Sequence, residues 1–369
     1  MHQIIYFGTA GVGKSYKVEQ EIICEKLGLY HENGNGKYTI QDNIYENKQV
    51  DVDYSNCIKT VFHPEYTYRD FMVKLSPMTT IDGKVRYEHH EGDFLKALAK
   101  AYKNILEMQE NKSPDNVALV IDEINRGNSA EIFGTVFQLL DREDDGWSSY
   151  PINLSNMEFD KLIELVFGEQ INETIGNMTN NETQNLSNIQ IREKAIKQLV
   201  TDEQIKNLLS NKQIKLPPNL SIIATMNTSD ESIYYMDSAF KRRWDWKYID
   251  ISSNNNQKIK DLASNSANID DWRKFIDNLN SFIKSNSKSI RKVEDKLIGY
   301  WFIKNHEEMT NRPIQNKLMF FLWDNVFARD KKPLKELLGK KDNELITFGD
   351  FTLQVNNFIE KIKAYGENV

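Results

Sequence analysis

Three short apolar runs mark out the first 250 residues: Ile4 to Phe7, Val117 to Ile121 and Leu220 to Thr225. Continuous runs of this length are the pattern of parallel strands covered on both faces. A fourth, Val61-Phe62-His63-Pro64, reads as the end of a short strand. Between the runs, apolar residues recur three and four apart. Tyr16 to Lys26 is helix-competent, and Asp93 to Met108 puts Phe94, Leu98, Ala101, Ile105 and Met108 on one face. After Asn128 a further helix is expected, with Ile132, Phe133, Val136, Phe137 and Leu140 as its core side. Asp82-Gly83, flanked by Ile81 and by Val85 and Tyr87, predicts a hairpin within Thr79 to His90. His31 to Lys37 is polar and rich in Gly and Asn, so a loop is expected there.

The pattern changes twice downstream. Residues from about Asn156 to Lys215 read as an elaboration, closed by Pro217-Pro218. Within it Gly168 to Gln190 is poor in apolar residues and predicts a loop, and its N-x-[ST] triplets are compositional accidents. From Ser252 a polar linker, reaching Gln257, precedes amphipathic helices without strand runs. Trp272, Phe275, Ile276, Leu279, Phe282 and Ile283 fall at helical spacing, as do Leu318, Phe321, Leu322, Val326 and Phe327. Such aromatic stripes are the core of a small helical domain rather than base-stacking platforms. Lys284, Lys288, Arg291, Lys292 and Lys296 form a basic run, for which a solvated face is favoured over phosphate contact. The expected division is an α/β part over residues 1–250 and a helical part over 251–369.

A length of 369 residues exceeds one ordinary core and agrees with two subdomains. The formal charge of −7 argues against a chain that coats nucleic acid over its whole surface. Cys24 and Cys57 are the two cysteines and lack metal-ligand spacing, so a reducing cytoplasm fits. No apolar run approaches a membrane span, and the N-terminus enters a strand too soon for a signal peptide.

The chemistry concentrates at the ends of the apolar runs. Gly8-Thr9-Ala10-Gly11-Val12-Gly13-Lys14-Ser15 fits G-x-x-x-x-G-K-[ST], with a strand before it and a helix after it. In that context backbone N–H groups surround phosphates, Lys14 reaches the β- and γ-phosphates, and Ser15 ligates Mg²⁺. A chance Gly-rich turn is the bland alternative, and both flanks count against it. Val117–Ile121 ends in Asp122-Glu123, the Walker B arrangement: Asp122 holds Mg²⁺ through water and Glu123 polarises the attacking water. Alone, the pair would read equally well as an acidic turn. Leu220–Thr225 delivers Asn227, which suits a sensor of the γ-phosphate; without the other motifs a turn-forming Asn would be the better account. Arg242 and Arg243 end a short helix expected over Ile233 to Lys241. They either favour the helix dipole or supply an arginine finger to a neighbouring subunit. His63 beside Pro64 is better read as structural than catalytic.

The phosphate loop, Ile121-Asp-Glu-Ile-Asn-Arg-Gly-Asn128, Ala224-Thr-Met-Asn-Thr-Ser-Asp230 and Asp237-Ser-Ala-Phe-Lys-Arg-Arg-Trp244 together resemble McrB-type AAA+ proteins. His63 to Phe71 and Lys296-Leu-Ile-Gly-Tyr-Trp-Phe302 are similar to that group as well. The resemblance implies an AAA+ P-loop NTPase: a parallel sheet sandwiched by helices, then an all-α lid. It also implies a ring, usually a hexamer, with ATP or GTP and Mg²⁺ at subunit interfaces. Asn227 matches the sensor asparagine, Arg242 or Arg243 the finger, and the hairpin around Ile81 to Glu91 the insertion that faces the pore. In such systems the ring activates a McrC-like nuclease and translocates on DNA. Two points are notable. Glu231 stands where the family signature carries an arginine, and relatives read modified DNA with an upstream segment, so DNA recognition is expected from a partner or from sequence outside residues 1–369. Two other expectations compete: a MoxR-like or dynein-related chaperone that remodels protein complexes, and a nucleotide switch with little turnover.

Overall fold

The structure is a computed structural model that describes residues 1–41, 47–110, 112–178, 188–228, 234–251, 272–303 and 311–365. It folds as two compact units. The first comprises Met1–Tyr6, Ser15–Met226 and Ser232–Lys247; the second comprises Phe7–Lys14, Asn227–Glu231 and Tyr248–Val369. Phe7–Lys14 and the segment from Asn227 group with the helical part.

Twelve strands are described: β1 (Gln3–Gly8), β2 (Tyr30–Glu32), β3 (Tyr38–Gln41), β4 (Asn47–Val52), β5 (Cys57–Val61), β6 (Val73–Thr79), β7 (Val85–Glu91), β8 (Val117–Asp122), β9 (Ile152–Asn153), β10 (Gln213–Ile214), β11 (Leu220–Asn227) and β12 (Asp245–Tyr248). Five of them form the sheet of an α/β fold, in the order β12-β1-β11-β8-β5, flanked by helices. β8 pairs in parallel with β11 on one side, Ile121 opposite Ala224, and with β5 on the other, Ile121 opposite Thr60. Val117 to Ile121 are all buried, as the unbroken apolar run requires. The helix Asp93–Leu106 covers the sheet with Phe94, Leu98 and Ala101, in one core with Ile5, Leu119, Phe133 and Ile222. Chain order runs from β1 outward to β5, back through β8 and β11, and past β1 to β12. Ligands in open α/β sheets sit beyond the carboxyl ends of strands at such a reversal.

Several local expectations change. Where a loop was expected over His31 to Lys37, the chain forms β2 and a turn leading to β3. With β4 between them these strands make an antiparallel sheet, Tyr30 opposite Val52 and Tyr38 opposite Val50. Polar composition hid it because the buried positions, Tyr38, Ile40, Val50 and Val52, lie on separate strands. Beside it, buried Glu19 pairs with Lys37 at 2.9 Å and with Lys59. Burial alone would raise the Glu19 carboxyl; hydrogen bonds from Lys37 and Lys59 outweigh it and hold it below the ordinary range.

The helix expected across Ile132 to Leu140 breaks at Gly134, where φ is +47° and the Tyr68 ring occupies the space a side chain would take. An α-helix Ser129–Phe133 passes there into a 3-10 helix, Gly134–Leu140. The insert holds the helices Asn156–Phe167, Gln170–Gly176, Asn188–Leu199 and Glu203–Ser210, so part of the predicted loop is helical. Residues 179–187 lie outside the described residues, as do Glu231 and Ser252 to Gln257. The hairpin formed by β6 and β7 is present, with Gly83 at φ +79° in its turn. Burial pushes both thiols up, to about 11 at Cys24 and about 12 at Cys57, which leaves them protonated and unreactive.

The second unit is mostly helical. Trp272–Ser285 and Val355–Tyr365 pack around Phe275, Leu279, Phe327, Phe351 and Phe358. The stripe from Leu318 to Phe327 is core as expected, on π-type turns over Ile314–Met319 and Leu322–Val326. Of the basic run, Lys284, Lys288, Arg291 and Lys292 are exposed, whereas Lys296 is buried. Among the described residues no helix is long and apolar enough to cross a membrane.

Candidate functional site

Within the second unit a glycine-rich loop follows β1. Gly11 and Gly13 sit at φ +79° and +80°, conformations that L side chains rarely adopt. Lys14 is buried, and its Nζ donates to the carbonyl oxygens of Gly8 at 3.0 Å and Thr9 at 2.8 Å, and to Asn227 Oδ1 at 2.5 Å. Lys14 and Asn227, 213 residues apart, are thus brought together.

A segment of the helical part fastens this loop. Gly299 N–H donates to Ala10 O at 3.0 Å and Trp301 N–H to Gly11 O at 2.9 Å. A Cβ on Gly299 would lie 2.4 Å from Gly11 C, so the approach requires glycine on both sides. Asn280 presents the segment by bonding both the N–H and the carbonyl of Ile298, at 2.9 Å each, and Trp272 Nε1 donates to Tyr300 O at 2.7 Å. In a trans peptide the carbonyl of one residue and the N–H of the next point to opposite sides. Fastening the Ala10 and Gly11 carbonyls therefore turns the Gly11 and Val12 N–H groups away from the latch.

The same unit holds a cavity of about 740 Å³ whose lining includes Thr9, Thr228, Asp277, Lys284, Asp295 and Tyr300. Its volume suits a nucleotide-sized ligand. Thr9 Oγ1 is buried without a hydrogen-bond partner among the described residues. Burial pushes the Asp295 carboxyl up, opposed by a hydrogen bond from Thr228 and by the charges of Lys292 and Lys296.

In the first unit, β8 ends at Asp122, and Glu123 follows at φ +56°. A non-glycine residue in the left-handed region stores strain, which the surroundings must over-determine. They do so from β11. Thr225 Oγ1 donates to Asp122 Oδ1 at 2.8 Å and accepts Glu123 N–H at 3.3 Å, while Ile124 N–H donates to Thr225 O at 3.0 Å. Arg126 closes the turn, its N–H on Glu123 O at 2.9 Å and its Nε 3.9 Å from Glu123 Oε2.

Asp122 Oδ2 takes no hydrogen bond or ion pair among the described residues, and the Ser15 side chain is exposed in the first turn of its helix. No group of three or more His, Cys, Asp or Glu among the described residues is placed to hold a metal ion. One hydroxyl and one free carboxylate oxygen are the kind of donors that Mg²⁺ takes together with substrate phosphates. Ser15 and Asp122 are the residues that would hold it.

The two arginines differ. Arg242 is exposed. Arg243 is held inside its own unit: Nη2 on Asp141 Oδ2 at 2.6 Å, Nη1 on Ala239 O at 3.0 Å, and the guanidinium 3.9 Å from the Phe137 ring centre. Sequence reasoning passed over Thr225, Arg126 and the donors at Gly299 and Trp301. Thr225 stood two residues from Asn227 and could have been found as a hydroxyl at a buried strand end. The backbone donors carry no side-chain signal beyond the glycine.

No family model matches the chain. It is 27% identical, over 98% of its length and 84% of the other's, to the Type II restriction enzyme BsuMI component YdiS of Bacillus subtilis. It is also 23% identical over 192 residues to the Type IV methyl-directed restriction enzyme EcoKMcrB subunit of Escherichia coli, an alignment spanning 52% of this chain and 27% of that subunit. Similarity running nearly end to end relates the chain to restriction-system proteins.

Proposed function

We propose that the chain is a Mg²⁺-dependent nucleoside triphosphatase of the AAA+ class, using ATP or GTP, and the oligomeric motor subunit of a McrBC-like restriction system. One observation carries the reading: Lys14 Nζ, the Gly8 and Thr9 carbonyls and the Asn227 amide oxygen converge on a glycine-rich loop. Gly8 to Lys14 surround the phosphates with N–H groups and one ammonium. Ser15 and Asp122 are the metal-side residues. Bound Mg²⁺ neutralises charge on the phosphate oxygens. Glu123 accepts a proton from the attacking water, and Asn227 orients the γ-phosphate. Arg242 is offered to a neighbouring subunit's triphosphate in a ring, taken as a hexamer. The hairpin β6–β7, which exposes Leu75, Ile81, Val85 and Tyr87, faces the pore of that ring. A McrC-like nuclease is the partner, and DNA is engaged through the assembled complex.

Direct binding of ATP and GTP to the full chain and to Lys14→Ala tests this. Triphosphate affinity is expected to fall about 100-fold or more in the variant, because the charge on the phosphates is removed. Equal affinity would refute the reading. A second reading, a switch that binds nucleotide with little turnover, draws on the Arg126–Glu123 pair, which engages the proposed base in the same turn. Turnover at an ordinary rate of ~1 s⁻¹ or more would remove it.

A further inference from the structure

We propose that Thr225 is a positioning residue whose single hydroxyl orients the metal-side carboxylate of Asp122 and fixes the backbone of Glu123. The assignment rests on the nucleotide reading above and names a residue that reading does not use. Thr225 lies near the end of β11 and is 3% exposed. β11 and β8 run in parallel with Ala224 opposite Ile121, so the next step of the register sets Thr225 beside Asp122. A threonine hydroxyl has one proton to give and two lone pairs to offer. Here the proton goes to Asp122 Oδ1 at 2.8 Å, and one lone pair takes Glu123 N–H at 3.3 Å.

Both contacts have a chemical consequence. With Oδ1 held by a donor, rotation of the Asp122 carboxylate is restricted and Oδ2 is the oxygen left to face a cation. The N–H accepted from Glu123 belongs to the one residue of this turn in the left-handed region, at φ +56°. The Thr225 carbonyl binds the N–H of Ile124, on the other side of that residue, at 3.0 Å. Thr225 therefore grips the strained residue from both flanks, and it does so two positions from Asn227. A threonine that merely satisfied its own hydroxyl in the sheet would need one partner, and any main-chain group would serve. Pairing with a carboxylate proposed to hold a metal is the outer-shell arrangement that orients such ligands elsewhere.

The test uses the full chain, a non-hydrolysable triphosphate analogue, and Mn²⁺ in place of Mg²⁺, with bound Mn²⁺ read by electron paramagnetic resonance. Thr225→Val keeps the shape and removes the hydroxyl; Thr225→Ser keeps the hydroxyl. Thr225→Val is expected to weaken Mn²⁺ binding to the nucleotide complex by about 10- to 100-fold, the range for lost outer-shell partners. Analogue affinity measured without metal should stay the same, and Thr225→Ser should bind Mn²⁺ as wild type does. Wild-type Mn²⁺ affinity in Thr225→Val overturns the assignment. So does a parallel loss of metal-free analogue affinity, because the change then acts through the fold. Should Thr225→Val not fold, Thr225→Cys, which keeps the volume and donates weakly, takes its place with the same two outcomes. A wild-type chain that binds no analogue at all overturns the nucleotide reading and this assignment with it, an outcome seen in the wild-type arm alone.

Discussion

One loop in each unit is held by a different mixture of bonds. In the second unit the helical part fastens the glycine-rich loop through main-chain groups, Gly299 and Trp301 donating to the carbonyls of Ala10 and Gly11. In the first unit the turn that bears Asp122 and Glu123 adds side chains to its main-chain bonds, with the Thr225 hydroxyl on both residues and Arg126 beside the Glu123 carboxylate. A main-chain fastening tolerates most side-chain changes and fails wherever a Cβ cannot fit. A side-chain fastening fails with the loss of one donor, and a conservative replacement restores it. The arginine pair repeats the contrast within the first unit, since Arg243 is spent on Asp141 and Phe137 while Arg242 is exposed.

That last difference gives the largest expected effect. In the assembled oligomer Arg242→Ala should lower turnover by about 10³- to 10⁵-fold, the range for an arginine finger, with nucleotide affinity of the single chain unchanged. Arg243→Ala should instead destabilise the first unit by about 2 kcal/mol, an amount discounted for the partly exposed Asp141. Steady-state turnover and denaturant titration on both variants separate these outcomes. The reverse assignment of effects would exchange their roles.

Glu123→Gln comes next. Removing the proton acceptor should cost about 10²- to 10⁴-fold in turnover while triphosphate binding persists. The amide keeps the size of the side chain, so Thr225 still holds the turn and binding has no reason to fall. Normal turnover in Glu123→Gln, measured by phosphate release, would remove the base assignment.

How far the sequence carried these residues depends on where their signal lay. The loop Gly8–Ser15 and the pair Asp122-Glu123 are contiguous, and each follows an apolar run that forms the expected strand, so their positions were legible. Of the five-stranded sheet, β1, β8 and β11 were legible for the same reason, β5 was read only at its end, Val61, and β12 not at all. There Asp245 to Tyr248 alternates polar and aromatic residues and is mostly exposed, without an apolar run to mark it. The sheet of β2, β3 and β4 escaped because its order is set by pairing across a loop, which local composition does not encode. Lys296 sat inside a basic run and yet is buried, since charge spacing reports solvation only where the backbone leaves the surface free. The Gly299 latch was hidden more deeply. Lys296 to Phe302 carried a resemblance but no chemistry, because its contribution is two N–H groups that every residue except proline possesses.

Gly299→Ala sharpens the contrast on the main-chain side with the smallest expected effect on function. The added Cβ would meet Gly11 C and O at 2.4 Å and Val12 N at 2.5 Å, and these are backbone atoms that cannot rotate aside. The latch must lengthen, and the peptides after Ala10 and Gly11 lose the bonds that orient their N–H groups. Triphosphate affinity should fall about tenfold, equivalent to roughly 1.4 kcal/mol, from weakened pre-organisation alone. The loss should shrink for the diphosphate and shrink further for the monophosphate, because fewer phosphate oxygens read the altered loop. A change at Thr225 should leave that series untouched without metal. Calorimetric binding of the three nucleotides to Gly299→Ala therefore decides whether the latch acts on the phosphate loop: an equal loss for all three would mean that the glycine serves only the packing of the second unit.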